Sequence, residues 1–354
     1  MKSRKKNSQE LNVYGTGLIA LDVVFSPGSK TPQLWAGGTC GNVLTILGFL
    51  GWNAFPIARL AADSAANYVK ADLSKWKVRD QFLHLEPTAE TPIIVQKIKR
   101  NADGKVSHRF SCNCPECGAW LPSYRPVLAK AVEDAAEAIL KPKIFFMDRL
   151  SRGSLLLALS CAKKGALVMF EPSGFGDKRL FEEALEVAHI VKYSNDRIDR
   201  MEGIARKSIL LEIQTLGGDG IRYKSSLDNC KTTGWEELKA IPVNNLKDAA
   251  GSGDWCTAGI LDKVGKSGLK GLRGINRNVL NTALAYGQAL AAWNCRFEGA
   301  RGGMYVESKQ KFHSSVKQIL EGAQSVPEME RLSEGFQKVF TGLCKTCRLR
   351  TVKK

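Results

Sequence analysis

The chain has 354 residues, of which 44% are hydrophobic and 25% are charged, a balance that is typical of a globular protein with one large α/β domain or two modest ones. Lys and Arg number 52 against 35 Asp and Glu, which gives a formal net charge of +17 and favours anionic partners such as nucleotides, phosphosugars or nucleic acid. Asp22 and several polar residues interrupt the apolar stretch over 11–25, so the sequence argues against a secretory signal or a membrane-spanning helix and predicts a cytoplasmic protein with no membrane partner.

The first third of the chain alternates between strand and helix patterns and then forms a hairpin. Apolar spacing predicts a strand over 12–18, a Gly-rich turn over 35–40, a helix over 41–50, a strand over 57–60 and a helix over 65–76. Two strand-like runs, 91–99 and 105–111, then flank an Asp-Gly pair that favours a hairpin turn. We interpret this hairpin as an extension from the main sheet.

The rest of the chain continues the alternation. The predicted strands are 144–147, 166–170, 190–193 and 208–216, and the predicted helices are 126–140, 154–164, 178–188 and most of 255–292. Buried strands that alternate with helices predict an α/β protein with right-handed β-α-β units and a mostly parallel sheet that is covered on both faces.

The predicted domain organisation is simple. A basic tail over 1–10 precedes a single α/β domain over 11–340, whose small β lid comprises about 32–40 and 88–120. A basic segment over 341–354 carries a pair of cysteines. No internal repeat or low-complexity linker divides the main domain.

The most informative motif is the loop 248–254, which reads Asp-Ala-Ala-Gly-Ser-Gly-Asp and precedes a predicted helix. Glycines let backbone N–H groups turn towards an anion, and a helix start adds unsatisfied donors and partial positive charge. Asp254 lies at that helix start, where its carboxylate could accept a proton from a hydroxyl that attacks a bound phosphate. Taken alone, the loop is also compatible with an ordinary Gly-rich turn in which Asp254 caps the helix.

Four motifs in this order resemble the ribokinase-like, or PfkB, family of carbohydrate and nucleoside kinases. The loop 248–254 is similar to the family signature D-x-x-G-A-G-D, with Ser252 in place of the usual Ala. The other three are Gly-Leu-Ile-Ala-Leu-Asp over 17–22, Gly-Gly-x-x-x-Asn over 37–42 and Thr-Leu-Gly-Gly-Asp-Gly over 215–220. The resemblance covers most of 12–304 and implies a doubly wound α/β sheet with a β lid, with Asp22 at the end of the first strand.

The resemblance also implies roles for individual residues. Asp254 would be the catalytic base, and the backbone of Gly251, Ser252 and Gly253 would form the anion hole for the transferred phosphate. The acceptor would contact Asp22, Gly37, Gly38 and Asn42. The nucleotide would contact Lys192, Thr215, Gly217 and Gly220. The implied cofactors are ATP and Mg²⁺. Lids in this family often pair to make dimers, so a homodimer through the lid is possible, but the sequence does not settle the oligomeric state.

The sequence departs from the family at two positions. Many relatives carry an Asn-x-x-Glu element that organises magnesium and phosphate, whereas this chain has Lys-Tyr-Ser-Asn-Asp-Arg over 192–197. Asn195 or Asp196 could replace that element only in a shifted register. Glu171-Pro172-Ser173 stands where sugar kinases often have Asp-Pro-Asn.

Two C-x-x-C pairs predict a structural Zn²⁺ site. Cys114 and Cys117 follow the hairpin, and Cys344 and Cys347 lie near the C-terminus, so four thiolates could bind one tetrahedral ion if the C-terminal segment returns to the lid. A redox dithiol or unconnected thiols remain alternatives, and Cys112 is a spare or alternative ligand. The other cysteines are expected to be small core residues.

These observations support two hypotheses. The first is an ATP-dependent kinase that phosphorylates a hydroxyl of a sugar or nucleoside with Asp254 as base. The second is a zinc-stapled, basic binding or regulatory protein on a kinase fold that contacts nucleic acid, and it is weaker because no aromatic-interleaved basic motif is present. The identity of the acceptor depends on lid side chains whose directions the sequence does not specify.

Overall fold

The structure is a computed structural model. It describes residues 10–27, 29, 31–101, 106–199, 201, 207–322 and 340–352. Most of the predicted tail over 1–10 and the Asp-Gly pair of the predicted hairpin turn therefore lie outside the described residues.

The strands and helices alternate through most of the chain. The strands are β1 (Asn12–Thr16), β2 (Ala20–Phe25), β3 (Gln33–Gly37), β4 (Asn53–Leu60), β5 (Leu83–Leu85), β6 (Ile93–Arg100), β7 (Val106–Ser111), β8 (Pro142–Met147), β9 (Leu167–Phe170), β10 (Ile190–Ser194), β11 (Leu211–Thr215), β12 (Ile221–Ser225) and β13 (Glu236–Leu238). The helices are α1 (Thr39–Leu50), α2 (Ser64–Lys75), α3 (Ala129–Ala138), α4 (Arg152–Lys163), α5 (Lys178–Val187), α6 (Ser252–Val264), α7 (Gly268–Arg273), α8 (Arg277–Asn294), α9 (Gly303–Val306), α10 (Lys309–Leu320), α11 (Phe340–Leu343) and α12 (Lys345–Val352).

The large sheet has the strand order β13-β12-β11-β10-β9-β8-β1-β4-β5. The strands from β11 to β5 pair in parallel, whereas β12 and β13 add an antiparallel edge. The chain moves outwards from β1 through β4 to β5 and then restarts at β8 on the other side of β1, so the winding direction reverses between β1 and β8. The predicted α/β class with a doubly wound, mostly parallel sheet is therefore confirmed.

The sheet is covered on both faces because alternate residues of its central strands enter two different hydrophobic clusters. In β8, Ile144 and Phe146 pack in one cluster together with α1, α6 and α8. Phe145 and Met147 pack in the other cluster with α3, α4 and α5. This explains why β8 is a continuous apolar run in the sequence rather than an alternating one.

A second sheet of four strands, with the order β3-β2-β6-β7, forms the lid. The hairpin of β6 and β7 was predicted, and its antiparallel register pairs Gln96 with Phe110. Strand β2 was missed, and Asp22 lies inside it rather than at the end of the first strand. The predicted turn over 35–40 is instead the end of β3 followed by the start of α1, because Gly37 can extend a strand as readily as it can turn one.

The C-terminal segment returns to the lid. Phe340 of α11 stacks with Phe25 of β2 at a ring-centroid distance of 6.4 Å. Since side chains alternate along a strand, Phe25 lies on the opposite face of the lid from Asp22. The segment therefore covers the outer face of the lid, which is the face opposite Asp22.

Among the described helices, none is long and apolar enough to cross a membrane.

Candidate active site

The groups of the candidate site, which include polar side chains and the backbone N–H of Leu18, follow the carboxyl ends of neighbouring parallel strands. Leu18 comes after β1, Asp148 after β8, Glu171 after β9 and Asn195 after β10. At the reversal point between β1 and β8, the Leu18 N–H donates to Asp148 Oδ1 at 2.9 Å. Crevices at such reversal points are where open α/β sheets bind ligands.

The loop before α6 closes on itself through one backbone amide and leaves two others unbonded among the described residues. Gly251 has φ 74°, and a Cβ there would lie 2.3 Å from the Ala300 carbonyl oxygen, so only glycine fits this turn. The Ser252 N–H donates to the Ala249 carbonyl at 3.2 Å and closes the turn instead of pointing inward. Within the described part of the chain, the N–H groups of Gly251 and Gly253 have no hydrogen-bond partner.

Asp254 lies in the first turn of α6 and accepts a hydrogen bond of 2.8 Å from Asn42 Nδ2. Burial and the nearby charge of Glu171 raise the pKa of Asp254 to about 8, against the opposing effects of Asn42, Lys192 and Arg197. The carboxyl group is therefore tuned to exchange a proton near neutral pH, which is the property required of a general base.

A buried ion pair lies beside the loop. Lys192 Nζ is 2.7 Å from Glu171 Oε1, and Thr257 donates to Glu171 Oε2 at 2.6 Å. A Cβ at Gly253 would lie 3.7 Å from Lys192 Nζ and 3.9 Å from Glu171 Oε1. Burial opposes the charge of Lys192, but Glu171 and other nearby acids raise the pKa of its ammonium, which stays cationic next to the loop.

The four predicted acceptor residues lie in the lid strands β2 and β3 and at the start of α1. A Cβ at Gly37 would lie 2.0 Å from the carboxyl group of Asp22. Burial raises the pKa of Asp22 to about 7, while Arg301 and the Gly38 backbone oppose the shift. Gly38 has φ 78° and caps the helix that carries Asn42, so the glycine pair brings the Asp22 carboxylate and the Asn42 amide to one place.

The predicted nucleotide turn lies further along the same edge of the sheet. Thr215 ends β11, two strands from β9, which corresponds to roughly 10 Å at the usual strand spacing. Gly217 has φ 59° and Gly220 has φ 111°. A Cβ at Gly220 would lie 2.1 Å from the Leu238 carbonyl oxygen, so the turn itself requires this glycine. Its nucleotide role stays a prediction.

Asp248 connects the loop to the lid. Its carboxylate accepts from the Ala250 and Gly299 N–H groups, both at 2.9 Å. The lid reaches the same carboxylate through Gln96 Nε2 at 2.5 Å and His108 Nδ1 at 2.9 Å. The sequence showed that Asp248 begins the motif but carried no signal for its lid partners.

A model of the pfkB family carbohydrate kinases matches residues 25–305, which is more than half of the chain. The chain belongs to the pfkB carbohydrate kinase family. No curated protein matches it.

Solved structures of sugar and nucleoside kinases share the fold at low sequence identity. A fructokinase double mutant from Vibrio cholerae, bound to fructose, ADP and potassium, has a TM-score of 0.66 and 16% identity, and 87% of this chain and 99% of that chain are covered. An aminoimidazole riboside kinase from Salmonella enterica has a TM-score of 0.62 and 17% identity, with coverage of 86% and 99%. A nucleoside kinase from Burkholderia thailandensis, in complex with inosine, has a TM-score of 0.61 and 16% identity, with coverage of 87% and 97%.

A cluster of four sulfurs lies outside the kinase site. Cys114 Sγ is 3.7 Å from Cys347 Sγ, and Cys117 Sγ is 3.6 Å from Cys344 Sγ. All four sulfurs lie within 4.8 Å of one another. Four ligands at about 2.3 Å around a tetrahedral Zn²⁺ are separated by about 3.8 Å, whereas a disulfide requires about 2.05 Å. The cluster therefore has metal-site spacing, and Cys112 is not part of it.

Gly251 and Gly253 of the loop 248–254 allow a matched test of whether the loop binds phosphate. Gly253→Ala places a methyl group towards Lys192 and Glu171 without a backbone clash, so we expect it to retain stability and to lower kcat by about 10–100-fold through obstruction of the phosphate. Gly251→Ala forces a side chain into positive φ against Ala300 and is expected to lower stability by about 1–3 kcal/mol. Thermal unfolding and ATP turnover distinguish the two effects. Full turnover in Gly253→Ala would contradict the role of this loop.

Proposed function

We propose that this pfkB protein is an ATP-dependent kinase that phosphorylates a hydroxyl group of a sugar or nucleoside. One observation carries the proposal. The partly buried carboxyl group of Asp254, held by Asn42 at 2.8 Å, lies directly after a glycine loop whose Gly251 and Gly253 amides have no hydrogen-bond partner within the described residues. A general base that directly follows an anion-binding loop can position the acceptor hydroxyl next to the phosphate and stabilise the charge that develops there. Positioning and electrostatic stabilisation are the main requirements of phosphoryl transfer.

The proposed reaction assigns a role to each part of the site. The acceptor hydroxyl is oriented by Asp22 and Asn42 and gives its proton to the Asp254 carboxylate as its oxygen attacks the γ-phosphorus of ATP. The bond from that phosphorus to the β,γ-bridging oxygen breaks, and ADP leaves. The amides of Gly251 and Gly253 stabilise negative charge on the transferred group, and Lys192 supplies a fixed positive charge beside it.

In this chain the residues that would hold Mg²⁺ differ from the Asn-x-x-Glu element that many family members use. Three residues after Asn195 the chain has Ile198, which is buried in the core, so the carboxylate of that element is missing. Glu171 is the carboxylate beside Gly253, and its lone pairs not used by Lys192 and Thr257 could hold a magnesium-bound water. When bound, Mg²⁺ neutralises charge on the ATP phosphates.

The lid contacts support a closed active site during transfer. Gln96 and His108 bring β6 and β7 onto Asp248, whose carboxylate also accepts from the N–H groups of Ala250 in the loop and of Gly299 after α8. Closing the lid on this carboxylate excludes water, which would otherwise compete with the acceptor hydroxyl.

The proposed activity is tested by measuring ADP formation from ATP across a panel of sugars and nucleosides, with Mg²⁺ present. We expect at least one acceptor to raise ADP formation well above the rate without acceptor and to gain one phosphate by mass spectrometry. If no acceptor is phosphorylated although the protein binds ATP, the proposed function is wrong.

We further propose that the four cysteines hold a structural Zn²⁺ that attaches the C-terminal segment to the lid. A tetrathiolate zinc centre carries a net negative charge, and cationic side chains lie close to it. A cleft of about 300 Å³ next to Cys114 is lined by Lys97, Lys99 and Arg109. Among the described residues none of these three forms an ion pair with a carboxylate, so their charge is available to offset that of the thiolates.

A further inference from the structure

Arg301 is a buried cation that none of the sequence motifs includes. Its side chain is only 1% exposed, and it follows Ala300, whose carbonyl oxygen lies against the turn at Gly251. Burial opposes its charge, but Tyr305, Asp72 and Asp22 raise the pKa of Arg301, which therefore stays cationic. A buried guanidinium is costly unless its donors are used, so its partners indicate its role.

The first partner of Arg301 is the amide that contacts the base. Arg301 Nε donates to Asn42 Oδ1 at 3.0 Å, and Asn42 Nδ2 donates to Asp254 Oδ2 at 2.8 Å. A guanidinium only donates hydrogen bonds, so the Asn42 group that faces it must be the amide oxygen, which leaves the amide N–H for Asp254. The Asn42 amide between them can therefore satisfy both neighbours in one orientation alone, with its oxygen towards Arg301 and its N–H towards Asp254.

The second set of partners consists of Asp72 in α2 and the backbone of the lid. Arg301 Nη2 donates to Asp72 Oδ2 at 2.9 Å and also to the Ala36 carbonyl oxygen. The Ala36 N–H donates to the same Asp72 oxygen at 2.9 Å, and the Tyr305 hydroxyl donates to it at 2.8 Å. Ala36 belongs to lid strand β3, so a single guanidinium is bonded both to the lid backbone and to the amide that holds Asp254.

We propose that Arg301 is the positioning residue of this kinase site, which locks the Asn42 amide in the orientation that donates to Asp254 and fixes lid strand β3 to the same point. The inference rests on the proposed function for its kinetic consequences, but the geometric claim applies to the protein without substrate. When Arg301 is removed, the Asn42 amide can rotate, Asp254 loses an ordered donor, and β3 loses its link to the base.

The test uses two variants of Arg301 and one control. Arg301→Lys keeps the charge but not the planar fork that reaches Asn42 and Asp72 together, and Arg301→Ala opens a space that guanidinium ion can enter. We expect kcat to fall by about 10²-fold in both, the order of loss caused by small misplacements of catalytic groups. Added guanidinium should restore activity in Arg301→Ala only. Arg296→Ala removes a partly buried arginine of the same segment and should keep wild-type kcat.

A second measurement does not depend on turnover. The titration of the Asp254 carboxyl carbon is followed by NMR in the wild-type protein and in Arg301→Lys. Because the Asn42 hydrogen bond lowers the pKa of Asp254, loss of this bond should move the midpoint of the Asp254 titration to higher pH. The charged groups that also act on Asp254, which are Glu171, Lys192 and Arg197, are unchanged in this variant. An unmoved midpoint in folded Arg301→Lys, or wild-type kcat in that variant, overturns the inference. Absence of turnover in the wild-type protein together with the expected NMR shift would instead reject the proposed function and retain the role of Arg301.

Discussion

Asp254→Asn is expected to lower kcat by about 10²–10⁴-fold, the usual contribution of a positioned general base. The amide has nearly the shape of the carboxyl group but cannot take the proton of the acceptor hydroxyl. Binding of ATP and acceptor should be retained, because the loop amides and Lys192 are unchanged. Turnover of the best acceptor and the dissociation constants of both ligands check this expectation.

The control for Asp254→Asn is Asp262→Asn. Asp262 lies in the same helix and accepts a hydrogen bond of 3.0 Å from Trp52 Nε1, which an amide oxygen can also accept. We expect Asp262→Asn to keep wild-type kcat. Comparable turnover in Asp254→Asn and the wild-type protein would remove Asp254 from the role of base.

The pH dependence follows from the raised pKa of Asp254. Because burial raises that pKa to about 8, the free protein carries a protonated Asp254 at neutral pH, and only the ionised fraction can act as base. The value of kcat/KM should therefore increase with pH up to about 8. In Asp254→Asn this rise should disappear from the residual activity.

The raised pKa of Asp254 should also make the stability of the folded protein fall as the pH rises, whereas kcat/KM should increase. An unfolded Asp releases its proton near pH 3.9, so between about pH 4 and pH 8 the folded chain holds a proton on Asp254 that the unfolded chain has lost. The folded state binds more protons in this window, and its stability falls as the pH rises. Asp254→Asn removes this contribution, so its melting temperature should exceed that of the wild-type protein by a margin that grows up to pH 8.

Local sequence patterns predicted much of the fold because the relevant forces are local. Continuous apolar runs such as 144–147 predict strands buried on both faces, and helical spacing between them predicts parallel β-α-β units. The strand β2 was missed because Ala20–Phe25 follows β1 after a short Gly17-Leu18 turn, and no Pro, Asn or Asp marks that turn. The side chains of β2 are buried on both faces of the lid, so its sequence lacks the alternation of apolar and polar residues that marks a half-exposed strand.

The candidate site was predicted in part for a related reason. Glycines mark backbone conformations, and the motifs at 37–42 and 248–254 predicted that Asn42 and Asp254 belong to one site although 212 positions separate them. Arg301 was not predicted, because its contact with Asn42 spans 259 positions and an arginine has no conformational signature in sequence. Glu171, first noted as a departure from Asp-Pro-Asn, turned out to pair with Lys192.

The four ligands of the proposed zinc site were predicted from their C-x-x-C spacing, whereas the effect of the ion on stability depends on the tertiary structure that brings the two pairs together. Replacing Cys344 and Cys347 together by Ser should remove bound zinc and leave Cys114 and Cys117 without their partners. The proposed zinc ion would close a loop of 227 residues between Cys117 and Cys344, and a cross-link of such length stabilises a folded chain by about 3–5 kcal/mol. We expect a corresponding loss in the free energy of unfolding.

Cys112→Ser is the matched control for the zinc prediction, because Cys112 lies two residues before Cys114 and outside the four-sulfur cluster. It should retain both the metal and the wild-type stability. Zinc is measured by elemental analysis of the purified proteins, and unfolding by denaturant titration. Removal of zinc from the wild-type protein by a chelator should reproduce the stability of the double variant, since both release the C-terminal segment from the outer face of the lid. Metal content that stays the same after the double substitution would show that these sulfurs do not hold the ion.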